Sequence, residues 1–227
     1  MHCFYAPQLI ALGAEALSEE EWRHMKALRI KSGETICLLD GAGNAQQWVF
    51  HLQDKRPSIA PLDEIKFYER ENGVHLYIPM TQQVDRIEWM LEKATEMGLV
   101  SLNLITTQYT ERVKYSMDRL TRIAISAMKQ SQRKWLPELA SFENWNDLLK
   151  SLAGRSVFIA HCEPSDKTPW SECHGINPHV LIGPEGDFST KEISDVVQLG
   201  GVPISLGNAR LRTETAGLVV VSKCYRT

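Results

Sequence analysis

No stretch of the chain stays apolar for the roughly 20 residues that a membrane-spanning helix needs. The opening residues, MHCFYAPQLI, lack both a basic leader and a long apolar core, so no secretory signal is expected. Cysteine is scarce and unpatterned: Cys3, Cys37, Cys162, Cys173 and Cys224 are odd in number and scattered, which suits reduced thiols in a cytoplasmic protein rather than a disulfide framework. There is no overall excess of positive charge. The formal net charge of −3 excludes indiscriminate binding of polyanions but leaves room for a local basic face. His161, Cys162, Cys173 and His174 do not have the paired spacing of a zinc site, so no metal is expected. The glycine-rich loop at 183–189 lacks the Gly-Lys-Ser/Thr ending of a P-loop, and no G-x-S-x-G nucleophile elbow occurs. Gly41-Ala42-Gly43 lacks the third glycine and the helical continuation of a dinucleotide fingerprint and reads as a hairpin turn. The carboxylates Asp85, Glu88, Glu92 and Glu96 read as a solvated helix face rather than an acid/base pair.

What is present is concentrated in residues 180–217. Two apolar strands, 180–182 and 202–206, each run into a glycine-bearing loop, and each loop leads into a polar segment that starts like a helix. Ligands of open α/β sheets sit where strand ends meet helix beginnings. The first loop, 183–188, ends in Ser189-Thr190-Lys191-Glu192, a capping box with Ser189 as N-cap. The second brings Gly207, Asn208, Arg210, Arg212, Thr213 and Glu214 within eight residues, more polar chemistry than packing requires. The active site is expected here.

Residues 1–70 look β-rich, with strands at 35–39 and 46–52 joined by a turn at 40–44, and a basic helix at 22–31 carrying Arg23, Lys26, Arg29 and Lys31. A break at 69–73 suggests a first domain over 1–70 and a second over 74–227. In the second, strand 74–80, a helix opened by a capping box at Asp85 to Glu88 and ended near Gly98, and strand 99–106 make a βαβ unit with a parallel pair. A long amphipathic helix follows over 116–135, then a helix at 145–152 and a strand at 157–160. The segment from Thr213 begins like a helix, but Val219-Val220-Val221 leaves its type open. Between Glu111 and Lys134 seven basic residues face two acidic ones, a local charge of +5; two basic segments in different domains suit a polyanionic partner.

The runs LIGPEGDFS at 181–189 and LGNARLRTETAG at 206–217 closely resemble the RsmE family of the SPOUT class of RNA methyltransferases. The resemblance extends to Asp85-Arg86-Ile87-Glu88, Lys93 to Gly98, Thr110-Glu111-Arg112, Gln130-Ser131, Leu136-Pro137-Glu138 and the helix near His24, Leu28 and Arg29, so it covers nearly the whole chain. It implies an α/β protein with an N-terminal PUA-like β-barrel and a C-terminal SPOUT domain tied in a trefoil knot, which sequence alone would never suggest. It further implies S-adenosyl-L-methionine as cofactor, a homodimer, and methylation at N3 of a uridine in 16S rRNA of the small ribosomal subunit. Asp187 stands where the family often has a second glycine, and Arg210 where it often has an aliphatic residue.

Such a cofactor has no phosphate and wants backbone donors and acceptors beside apolar walls. The resemblance places Leu181, Ile182, Gly183, Pro184, Gly186, Leu206, Gly207 and Leu211 against it. An N3 anion forming in a dry pocket needs a cation near O2 or O4, for which Arg212 is first choice and Arg210 the reserve. Glu214 accepts the N3 proton or holds the arginine, two roles the sequence does not separate, and Glu185 is a second candidate base. Because N3 lies on the Watson–Crick edge, the base must leave its stack, with Arg23, Arg29, Arg86, Arg112, Arg133 and Arg210 as RNA contacts. Two competing readings are a non-catalytic RNA-binding or ribosome-assembly protein and an enzyme binding a phosphorylated nucleotide at the Ser189 helix; the lack of a basic residue in the first loop weighs against the latter.

Overall fold

The computed structural model describes residues 1–54, 56–110 and 115–224. The chain divides into two units, one formed by Met1–Arg70 with Ile125–Leu136 and the other by Glu71–Ala124 with Pro137–Thr227.

In the first unit, β1 (His2–Tyr5), β2 (Thr35–Leu39), β3 (Asn44–Gln53) and β4 (Arg56–Pro61) form a sheet in that order, and β5 (Lys66–Phe67) also pairs with β3. β1 and β2 run parallel and the remaining pairs antiparallel. Among the described residues this sheet is open, with β1 unpaired on its outer side, whereas the resemblance implied a closed barrel. The turn between β2 and β3 is held by Asp40, whose Oδ1 accepts from the backbone N–H groups of Ala42 (2.7 Å) and Asn44 (2.9 Å). Phe4, Met25, Ile36, Leu38, Trp48 and Phe50 fill the core beneath α1 (Leu9–Leu12) and α2 (Glu19–Ala27). Ser18 caps α2 by accepting from the Glu21 N–H at 3.2 Å, and three glutamates occupy its first turn. The helix therefore starts earlier than the basic run suggested, and it is over before Arg29, whose φ of 54° is left-handed.

The second unit holds a seven-stranded sheet of β6 (His75–Pro79), β7 (Ser101–Ile105), β8 (Glu138–Phe142), β9 (Val157–Ala160), β10 (Thr168–Pro169), β11 (His179–Ile182) and β12 (Val202–Ser205). Its order is β10-β12-β9-β11-β6-β7-β8 and every pair is parallel. The chain steps outward on one side from β6 to β8 and then builds β9, β11 and β12 on the other, so the progression reverses beside β11 and β6. Every residue of β9 and β11 is buried, as expected of strands covered on both faces. The helices are α3 (Val84–Glu96), α4 (Met117–Ser131), which contributes to both units, α5 (Trp145–Leu152), α6 (Thr190–Gln198) and α7 (Thr213–Cys224).

The capping box at Ser189 forms. Glu192 Oε2 accepts from the Ser189 N–H, its other oxygen accepts from the Gln108 N–H, each at 2.8 Å, and Ser189 Oγ accepts from the Glu192 N–H. The box expected at Asp85 does not form: α3 starts after Gln83 with no side-chain cap, and Glu88 instead grips Arg119 on α4 at 2.5 Å. α7 is helical despite its valine run because Thr213, Ala216, Gly217, Val220 and Val221 recur at helical spacing and are all buried. Gly217 is what lets it approach α3 and β6, since a Cβ there would stand 2.6 Å from Met90 Sδ and 3.2 Å from Ile78 and Leu76.

Candidate active site

Because β9, β11 and β12 are parallel neighbours, their carboxyl ends open on the same edge of the sheet. Three loops gather there, 161–167, 183–188 and 206–212, and they enclose a cavity of about 740 Å³. That size is within the range of small-molecule sites.

The loops are tied to one another by side chains. Thr213 Oγ1 donates to the Gly183 carbonyl at 3.1 Å, and Arg210 Nη2 donates to the Glu185 carbonyl at 3.0 Å, so the second glycine-bearing loop is strapped to the first at two points. Asp187 fastens the remaining pair. Its Oδ2 accepts from the N–H groups of Cys162 (2.6 Å) and Glu163 (3.2 Å), and its Oδ1 accepts from the Phe188 N–H at 2.9 Å. Asp187 has φ of 65°, a conformation easiest for glycine and tolerated by aspartate. Gly183 has no room for a side chain, since a Cβ would lie 2.6 Å from Asp187 Oδ1. Phe188 plugs the loop into the core beside Leu181 and Tyr77.

Of the residues expected against a cofactor, Ile182, Gly183, Pro184, Leu206, Gly207 and Leu211 line the cavity. Leu181 and Gly186 do not. The Leu181 side chain is fully buried in the core, and Gly186 lies against Tyr109, whose Cβ would be 3.2 Å from an added Cβ. The expected catalytic residues Arg212, Glu214 and Glu185 all line it, together with Arg86 and Arg210. Arg212 is exposed, and its side chain makes no hydrogen bond or ion pair among the described residues. Glu214 is different: its carboxylate stands 3.6 Å from the Arg86 guanidinium, with the glutamate side chain largely shielded. Arg86, Arg210, Leu211, Arg212 and Glu214 also border an adjoining open cavity of about 570 Å³ that adds Asp85, Trp89 and Thr215.

Arg23, Arg29 and Arg133 belong to the first unit, Arg86 and Arg210 to the second, and Arg112 lies outside the described residues. The basic run of 111–134 carries less free charge than its composition suggested. Arg119 is committed to Glu88, and Lys129 is held at 2.5 Å by the buried Glu21.

Sequence reasoning missed two groups in the cavity wall, His161 and Lys167. His161 is 9% exposed. Burial first, then Lys167, holds its pKa below the ordinary histidine value, against the opposing pull of Asp187 and Glu163. Its signal was positional: it directly follows a strand that ends at the same sheet edge as the two glycine loops. No cluster of three His, Cys, Asp or Glu side chains suited to a metal occurs among the described residues.

A family model described as an RNA methyltransferase domain matches residues 69–224. A protein of Aquifex aeolicus named ribosomal RNA small subunit methyltransferase E is 26% identical over 98% of this chain and 98% of its own length. The crystal structure of a probable rRNA-methyltransferase from Porphyromonas gingivalis superposes with a TM-score of 0.84 at 31% identity, covering 100% of both chains. A ribosomal RNA small subunit methyltransferase E from Neisseria gonorrhoeae, crystallised bound to S-adenosyl methionine, shares the fold with a TM-score of 0.82 at 23% identity over 98% of this chain and 95% of that one.

Proposed function

The chain belongs to the RNA methyltransferase family, within its RsmE group, and from that premise we propose that it methylates N3 of a uridine in 16S rRNA of the small ribosomal subunit, using S-adenosyl-L-methionine. The observation that carries this reading is the cavity at the ends of β9, β11 and β12, walled by glycine loops and lined by Glu214 and by Arg212, whose side chain has no partner among the described residues.

The cavity fits the cofactor by its chemistry. Its walls combine apolar side chains, Ile182, Pro184, Ile204, Leu206 and Leu211, with exposed backbone at Gly183 and Gly207, and the glycine loops lack the lysine of a phosphate cradle. Bound there, S-adenosylmethionine supplies a methyl group activated by its sulfonium charge. The protein must do the rest. Uridine N3 carries a weakly acidic proton and has to lose it to become nucleophilic. Glu214, oriented by Arg86, accepts that proton, with Glu185 in reserve. Arg212 compensates the negative charge that spreads onto O2 and O4, and it is free to do so because no internal carboxylate occupies it among the described residues. The base is drawn out of its stack so that its Watson–Crick edge meets the side chains shared by the two adjoining cavities.

The finer architecture follows from the same reading. Residues 1–70 serve as a PUA-like RNA-binding domain and 74–227 as the SPOUT domain, with the chain at 206–212 threaded into a trefoil knot; the straps from Thr213 to Gly183 and from Arg210 to Glu185 are consistent with that threading. Arg23, Arg29 and Arg133, with Arg112, contact the RNA backbone around the target base. The protein acts in the cytoplasm as a homodimer. Trp89 on α3, 49% exposed beside the second cavity, supports a second copy seated on that face. Incubating the purified protein with methyl-labelled cofactor and small-subunit rRNA, then digesting to nucleosides, should place label in N3-methyluridine. Label in another nucleoside, or none, would remove the assignment.

A further inference from the structure

We propose that His161 is a cofactor-binding residue that hydrogen-bonds the nucleoside half of the bound S-adenosylmethionine. The proposal rests on the cofactor reading given above. His161 is the first residue after β9 and lines the 740 Å³ cavity together with Ala160, Ile182 and Gly183. Both ring nitrogens are buried, and neither has a hydrogen-bond partner among the described residues. Buried polar atoms are nearly always satisfied, so an imidazole whose two nitrogens have no partner among the described residues, at a ligand cavity, is suited to pair with a ligand's polar edge.

The charge of the ring narrows which edge. The groups facing it are Lys167, Asp187 and Glu163. The Asp187 carboxylate is already engaged by three backbone N–H groups, and Lys167 donates to the Glu163 carbonyl at 2.6 Å, which keeps a cation near the ring. Burial and Lys167 together favour the neutral imidazole, which offers one N–H and one lone pair. That pattern complements a group that is itself both donor and acceptor, such as a ribose hydroxyl or the amino edge of adenine. It does not complement the cofactor's carboxylate, which calls for a cation, or its ammonium.

Calorimetric titration with two probes tests this: S-adenosylmethionine, and 5′-methylthioadenosine, which keeps the nucleoside and lacks the amino acid. His161→Phe should weaken both by a similar factor, about three- to tenfold for one lost neutral hydrogen bond. His161→Gln, which keeps a donor and an acceptor, should restore most of the affinity. In the wild type, S-adenosylmethionine affinity should fall as pH drops below the ordinary histidine range, because the protonated ring loses its acceptor, and His161→Gln should abolish that fall. Equal affinity of His161→Phe and wild type, a loss confined to S-adenosylmethionine, or a pH profile unchanged in His161→Gln would each overturn the proposal while leaving the cofactor reading intact. Wild-type protein that binds neither probe overturns both. If His161→Phe does not fold, as judged by thermal unfolding, the pH comparison of wild type with His161→Gln decides.

Discussion

At the scale of single residues, the proposed division of work between Arg212 and Glu214 rests on their different surroundings. The Arg212 side chain has no partner among the described residues, while Glu214 is shielded and held by Arg86. A cation that stabilises charge formed only during the reaction affects turnover more than ground-state binding. Arg212→Ala is therefore expected to lower methyl transfer by a factor on the order of 10²–10³ while calorimetry still detects cofactor binding; near-normal turnover would contradict the role. At the opposite edge of the sheet His75 and His179 stack face to face at 4.2 Å, with Tyr77 Oη 2.9 Å from His179 Nδ1 and Ser101 Oγ 2.9 Å from His75 Nδ1. Burial first, then the neighbouring His75 and Arg155, pushes the His179 pKa down to about 4. In the unfolded chain the ring titrates near about 6.5. Between these values the unfolded state binds the extra proton, so stability is full above the unfolded value and declines as pH falls toward about 4. Thermal melts from pH 7 to pH 4.5 should show this decline, and His179→Gln should flatten it. A variant that keeps the wild-type slope would move the cause elsewhere.

At the scale of elements, the loop 183–188 shows how one aspartate can hold two loops together. Asp187 accepts a left-handed φ and in return ties 162 and 163 to the β11 loop. Asp187→Ala removes the acceptor and keeps the difficult backbone geometry, so it should destabilise the protein by about 1–3 kcal/mol and weaken cofactor binding, both readable from melts with and without the cofactor. Unchanged melting would mean the tie carries no weight. Much at this scale was legible beforehand. The parallel βαβ unit, the Ser189 cap and the clustering of the glycine loops all follow from local pattern, because strand periodicity, capping chemistry and βα-loop position act over a few residues. What was hidden depended on partners far along the chain. Glu88 reads like part of a cap and instead pairs with Arg119, Lys129 counts toward the basic run and is half-buried against Glu21, and the α7 valines leave that segment's type open until helical burial sorts them. His161 invited a metal reading because its sequence neighbours are cysteines, whereas its spatial neighbours are the glycine loops.

At the scale of the whole molecule, each unit has its own sheet and core, and the described residues that line the cavity all belong to the second. The adjoining cavity is open beside Trp89, which is 49% exposed and marks the face assigned above, as a proposal, to a second copy of the chain. Trp89→Glu should therefore shift the protein from dimer toward monomer in sedimentation and reduce methyl transfer in parallel; a variant that remains dimeric, or a wild type that is monomeric at working concentrations, would exclude this face.

The central claim is that the strand-end cavity supports methylation of one uridine of the small-subunit RNA. Nucleoside mass spectrometry of 16S rRNA from cells with the protein, without it, and carrying only Arg212→Ala tests it most directly. The account predicts N3-methyluridine in the first and its loss in the other two. Persistence of that nucleoside in cells lacking the protein, or its full restoration by Arg212→Ala, would contradict it.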